Sequence, residues 1–181
     1  IDTPRGFMCN TQELDETWIN KVVSSNGKIG WLGSNGRPDA AAGHSIIAGE
    51  YKNKSPQLIT MCNQVVKQCK GTKVIHKVWR IAPKDVRLVA FIDSSLDFKG
   101  ERHQQGWIIG CTNPYLNQNR RAPVSIALWR SRKLPRKAGS PQLTEAYAAS
   151  HGCADCCWCR CILLSMIFSD FDIIRQWPRC I

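Results

Sequence analysis

The sequence predicts an α+β chain, a small helical segment followed by a three-strand antiparallel meander and one long helix. Three observations carry this. Apolar residues recur at helical spacing between residues 15 and 71, the pattern changes to short apolar runs from residue 74, and a stripe at helical spacing returns over 140–168. The division falls between residues 1–73 and 74–181.

The elements follow in order. Residues 15–24 form a short amphipathic helix that starts at Asp15 and stops at Asn26-Gly27. A glycine-rich connection, Gly30, Gly33 and Gly36, leads to Arg37-Pro38-Asp39, where Pro38 suits the first turn of a helix over about 38–50. That helix places Ala41, Ala42, Ser45, Ile46 and Ala48 in a small-residue surface suited to close packing. A third helix has Ser55 as N-cap and Pro56 at its first position, places Leu58, Cys62, Val65, Val66 and Cys69 on one side, and closes at Gly71. Loose alternation over 74–81 ends at the turn Pro83-Lys84-Asp85.

The run Leu88-Val89-Ala90-Phe91-Ile92 is apolar at every position, the pattern of a strand buried on both faces in the middle of a sheet. Asp93 stands at its exit. Strands over 106–111 and 124–129 are separated by a polar loop, and their short connections predict an antiparallel meander. A basic linker, 130–137, precedes a helix from about Ser140 to Phe168 whose stripe is Leu143, Tyr147, Ala154, Cys157, Cys161, Leu164 and Phe168.

Composition bounds the function. The 181 residues carry 25 basic and 14 acidic side chains, a net +11, and the middle stretch 51–90 is the most cationic. Such a balance suits a polyanionic partner. No stretch reaches the roughly 18 consecutive apolar residues of a membrane span, so no membrane partner is expected. The start lacks both Met and a secretory signal, the pattern of a fragment. Five of the ten cysteines crowd into 153–161, too close together for most pairs to form unstrained disulfides, so reduced thiols in an intracellular protein, cytoplasmic or nuclear, are expected.

Asp93 at the end of a core strand and Glu145 in the first turns of the following helix can converge over one sheet edge. Two carboxylates there make half of a site for Mg²⁺ or Mn²⁺, hard cations that favour oxygen ligands. Each also has a plainer role, Asp93 as a solvated turn acid and Glu145 as a charge favouring a helix N-terminus. Arg130, Arg132, Lys133, Arg136 and Lys137, with no acid among them, suit the phosphates of a nucleic acid or serve as a solvated loop. His151 with Cys153, Cys156, Cys157, Cys159 and Cys161 offers zinc-ligand chemistry, although the four-residue recurrence of Cys153, Cys157 and Cys161 fits thiols packed as small hydrophobes.

The order Arg37-Pro38-Asp39, Lys70-Gly71-Thr72, RLVAFIDSSL, GWIIG, APVSIALWRSRKL and SPQLTEAYAAS resembles the end of a copia-type LTR-retrotransposon reverse transcriptase running into its RNase H domain, over about residues 28–165. The resemblance implies a thumb or connection segment over 1–73 and a partial RNase H-like domain over 74–181. Asp93 then matches the first metal-binding Asp, Glu145 the helical Glu, and Trp129 with Ser131 the Trp-x-Ser segment before the helix. The implied activity is divalent-metal-assisted cleavage of RNA in an RNA–DNA hybrid, with the remainder of the Pol polyprotein as partner. A catalytically inactive nucleic-acid-binding remnant of the same polyprotein is the alternative. The family's further acids, on a later strand and helix, have no counterpart, so weak or absent activity is expected of this chain alone.

Overall fold

The structure is a computed structural model that describes residues 1–2, 13–96, 103–118, 120–135, 138–172 and 175. It is α+β, and its described residues form four α-helices and a three-strand antiparallel sheet. The chain divides into two compact units. One is Ile1–Ile75 with the short stretches Asp97–Gln104 and Arg130–Pro135, and the other is His76–Leu96, Gln105–Trp129 and Arg136–Ile181.

The helical unit is built from α1 (Glu16–Asn35), α2 (Pro38–Gly49) and α3 (Gln57–Gly71). Asp15 caps α1 as expected, its carboxylate accepting the Trp18 backbone N–H at 2.9 Å. The helix does not stop at Asn26-Gly27. It runs on through Gly30 and Gly33 to Asn35, because those glycines serve packing rather than a loop. A Cβ at Gly30 would lie 2.5 Å from the His44 ring of α2, and one at Gly33 would lie 3.1 Å from the Ala41 backbone. The closeness of α2 offsets the roughly 1 kcal/mol that each glycine costs a helix interior. Gly36, at φ +156°, turns the chain where a side chain would be strained.

Pro38 opens α2 as predicted. Its buried residues are Ala40, Ser45 and Ile47, whereas Ile46 is exposed, so the expected small-residue face is rotated. On α3 the buried set is Leu58, Ile59 and Cys62. Ile59 lies off the expected stripe, and Val66, which lies on it, is exposed. These residues join Leu14, Val22 and Ile29 in one hydrophobic core. A Cβ at Gly43 would meet Val65 at 2.5 Å, so α2 and α3 also approach closely. Arg37 locks the two ends together. Its guanidinium donates to Asp39 at 2.7 and 2.9 Å and to Thr72 Oγ1 at 3.0 Å.

Residues 74–81 are not a strand, and Pro83–Asp85 form a 3-10 turn. The strands are β1 (Arg87–Ser95), β2 (Gln104–Thr112) and β3 (Ser125–Lys133), in the order β1-β2-β3. This corrects the expected place of the apolar run. β1 is an edge strand, none of its residues is fully buried, and Phe91 is 55% exposed. The better buried strand is β2, which hides Gln105, Trp107, Ile109 and Thr112. β3 begins as predicted but extends through Arg130–Lys133, so the front half of the supposed linker is strand.

The long helix α4 (Pro141–Ile167) is capped by Ser140, whose hydroxyl accepts the Leu143 N–H at 3.2 Å. It packs on β1. Its buried residues are Thr144, Ala148, Gly152 and Cys161, whereas Leu143 and Phe168 are exposed. The contact line is therefore displaced from the predicted stripe. Small side chains win it because the helix lies close to the sheet, where a Cβ at Gly152 would sit 2.5 Å from Ile92 Cδ1.

Candidate metal and nucleic-acid site

The two predicted acids lie on segments that touch. Ser94 Oγ of β1 donates to Thr144 Oγ1 of α4 at 3.0 Å. Asp93 and Glu145 are the chain neighbours of those two residues. Thr144 is fully buried and also donates to the Pro141 carbonyl at 2.6 Å, so the first turn of α4 is pinned where it meets the strand.

The carboxylates themselves diverge from this junction. Along β1 the exposed residues Phe91, Asp93 and Ser95 alternate with the partly buried Ile92 and Ser94. Since Ile92 and Ser94 face α4, alternation turns the Asp93 side chain to the other face of the sheet. Its Oδ1 accepts the Ser94 backbone N–H at 2.9 Å. Glu145 is exposed on α4. Among the described residues no ion pair holds either acid, and no group of three or more His, Cys, Asp or Glu is placed to hold a metal ion. Turned apart in this way, the two carboxylates do not converge on one position for a cation, and their charge falls short of what two divalent ions require. Beyond the end of α4, Asp172 pairs with Arg175 at 3.5 Å.

The basic residues divide. Arg130, Arg132 and Lys133 are exposed on β3, and alternation along the strand sets Arg130 and Arg132 on one face. Between them Ser131 Oγ accepts from Gln104 Nε2 of β2 at 2.9 Å, which fixes this end of the ladder. Arg136 and Lys137 lie outside the described residues. Trp129 stacks on His76, with ring centroids 5.5 Å apart and planes 13° from parallel.

Sequence reasoning missed a polar cluster between β2 and α4. The buried Trp107 donates its indole N–H to Asp155 Oδ2 at 2.9 Å, and His151 Nδ1 shares a hydrogen bond with Gln105 Oε1 at 2.9 Å. The Trp107 and His151 rings stack at 6.3 Å. The signal was present as two spacings, His151 and Asp155 one helical turn apart and Gln105 and Trp107 two apart on a strand. His151, grouped in the sequence with the cysteines, thus turns one ring nitrogen toward the sheet. Burial and the neighbouring Cys157 and Cys153 push the Cys156 thiol up, which disfavours the thiolate a metal would need.

Comparison with protein-family models, with curated proteins and with solved structures finds no match. No helix among the described residues is long and apolar enough to cross a membrane.

Proposed function

We propose that this chain is a segment of a retrotransposon Pol polyprotein, a reverse-transcriptase thumb or connection piece followed by the opening part of an RNase H-like domain. The observation that carries the reading is the Ser94–Thr144 hydrogen bond, which sets the strand acid Asp93 and the helical acid Glu145 on touching segments in the order the resemblance implies. The meander followed by a helix packed on its first strand supports the same reading.

In this proposal Asp93 and Glu145 correspond to the two acids of the implied metal site, and because their carboxylates face apart in this chain they do not meet on one Mg²⁺ or Mn²⁺ ion. The chain's own contribution is to fix the two carboxylate-bearing segments, through Thr144, and to present cations to the polynucleotide. Arg130, Arg132 and Lys133 contact phosphates, where guanidinium groups make paired hydrogen bonds. Two acids that face apart, without a third, make for slow or absent cleavage.

The test is hydrolysis of a labelled RNA–DNA hybrid in Mg²⁺ or Mn²⁺ by the parent chain, Asp93→Asn and Glu145→Gln. Cleavage that both substitutions abolish, with hybrid affinity kept, is the expected result. Equal cutting by Asp93→Asn overturns it. The open, two-acid geometry favours a second reading, a remnant that holds nucleic acid without cutting. Its signature is salt-dependent hybrid binding without cleavage. Arg130→Ala or Arg132→Ala should then reduce the slope of log affinity against log salt by about one phosphate contact each.

A further inference from the structure

We propose that the cleft between the start of β1 and the C-terminal turns of α4 binds a long-chain fatty acid, its alkyl chain in the cleft and its carboxylate against Arg160. The argument stands on the cleft alone and does not rest on the nuclease reading.

The cleft lies within the sheet unit and has a volume of about 590 Å³. Pockets of roughly 300–1,000 Å³ suit small molecules, whereas a stable protein partner needs a broader face. Its strand side includes Val86 and Leu88, and its helix side Leu164, Ile167 and Phe168. Facing walls of aliphatic and aromatic side chains shelter a run of methylenes from water and offer it nothing to hydrogen-bond.

Three cations, Lys84, Arg87 and Arg160, complete the lining. All three are exposed, so their stems add to the wall while their charged ends stand in water at its rim. Among the described residues no acid lines the cleft, and none pairs with these cations. Asp85 shares the turn of Lys84 but stays out of the lining, and Asp172 is held by Arg175. Arg87 Nη1 donates to the backbone oxygens of Val86 at 2.9 Å and Lys84 at 3.3 Å, neutral acceptors that fix its charge on the strand side without cancelling it. An apolar slot with a wholly cationic rim complements a molecule that is hydrocarbon along its length and anionic at one end. A second copy of the chain is a poor occupant, since each copy carries +11.

The helix sets the direction of the ligand. α4 ends at Ile167, where the Phe168 N–H donates to the Leu164 carbonyl at 2.8 Å. The last carbonyls of a helix are its negative end and repel a carboxylate. Arg160 stands two turns upstream, about 10 Å from that end. The head group therefore goes to Arg160 and the tail runs toward Phe168.

The experiment titrates the full chain with cis-parinaric acid, a polyene fatty acid that fluoresces in an apolar site, and displaces it with palmitate, shorter saturated acids, hexadecanol or phosphatidylglycerol vesicles. Palmitate should displace the probe, and shorter acids should lose roughly threefold in affinity per methylene removed. Hexadecanol, with the same chain and no charge, should bind about tenfold more weakly than palmitate. Arg160→Glu should weaken palmitate by about tenfold and leave hexadecanol unchanged, which also shows that the variant folds. Hexadecanol that competes as well as palmitate, or Arg160→Glu that binds palmitate like the parent, overturns the proposal. So does a chain that binds vesicles but not monomeric palmitate, or a probe capacity that falls as the protein is concentrated, the sign of a second copy in the cleft.

Discussion

The helical unit and the strand β1 spend apolar residues differently. In the helical unit Leu58, Ile59, Cys62, Ile47, Val22 and Ile29 are all within 2% of full burial, because three helices close on one another through glycines that admit their neighbours. In β1 five consecutive apolar residues include none that is buried. The β1 run is apolar at every position, whereas α1 and α3 interleave their apolar residues with polar ones. What decides the outcome is the number of neighbouring elements, and only that converts an apolar side chain into stability.

The comparison is broken most directly by truncation. Leu58→Ala should destabilise the helical unit by about 3 kcal/mol, a core methyl loss with a residual cavity, while Phe91→Ala in dilute protein should change stability by less than about 0.5 kcal/mol. Denaturant unfolding of the two variants decides it, and equal effects would mean that β1 is covered after all. Next in size is Gly110→Ala in β2, where a Cβ would lie 2.9 Å from the Ser125 carbonyl oxygen and 2.5 Å from Val124. Backbone can yield little there, and the loss should be about 1–3 kcal/mol in a thermal melt.

Asp155→Ala should destabilise the sheet unit by about 1–2 kcal/mol by removing the acceptor of the buried Trp107 N–H, with a change in near-ultraviolet dichroism from that indole. Asp155→Asn, which keeps an acceptor oxygen, should lose less. The smallest effect is a pH dependence in the helical unit. The hydrogen-bonded Arg37 guanidinium holds the Asp39 carboxyl below its usual range, against a lesser opposing effect of burial. A lowered carboxylate contributes stability at neutral pH that is lost as pH falls through its titration. Asp39→Asn should therefore flatten the acid limb of a stability profile while leaving its alkaline side unchanged.

Much of this fold was legible in sequence, for local reasons. Asp15, Pro38 and Ser140 mark helix starts because capping and proline chemistry act within one turn. The glycines of α1 misled because their reason lies in α2, a contact that no local pattern contains. The stripe of α4 was misplaced for the same cause, since Thr144 and Gly152 are chosen by the sheet beneath them. An all-apolar run predicts a strand covered on both faces in mid-sheet, whereas among the described residues β1 pairs with β2 alone and its exposure alternates. At the candidate site, spacing could bring the segments of Asp93 and Glu145 to one junction. It could not give the direction of the Asp93 carboxylate, which depends on which strand residue meets the helix.

Cys62 in the core of the helical unit and Cys161 in α4 are each almost completely shielded. A thiol in that condition reacts with an alkylating reagent only while its surroundings are open. Among the described residues each unit therefore carries one such native clock, and peptide mass mapping of reagent uptake at the two positions would time their openings separately without any substitution.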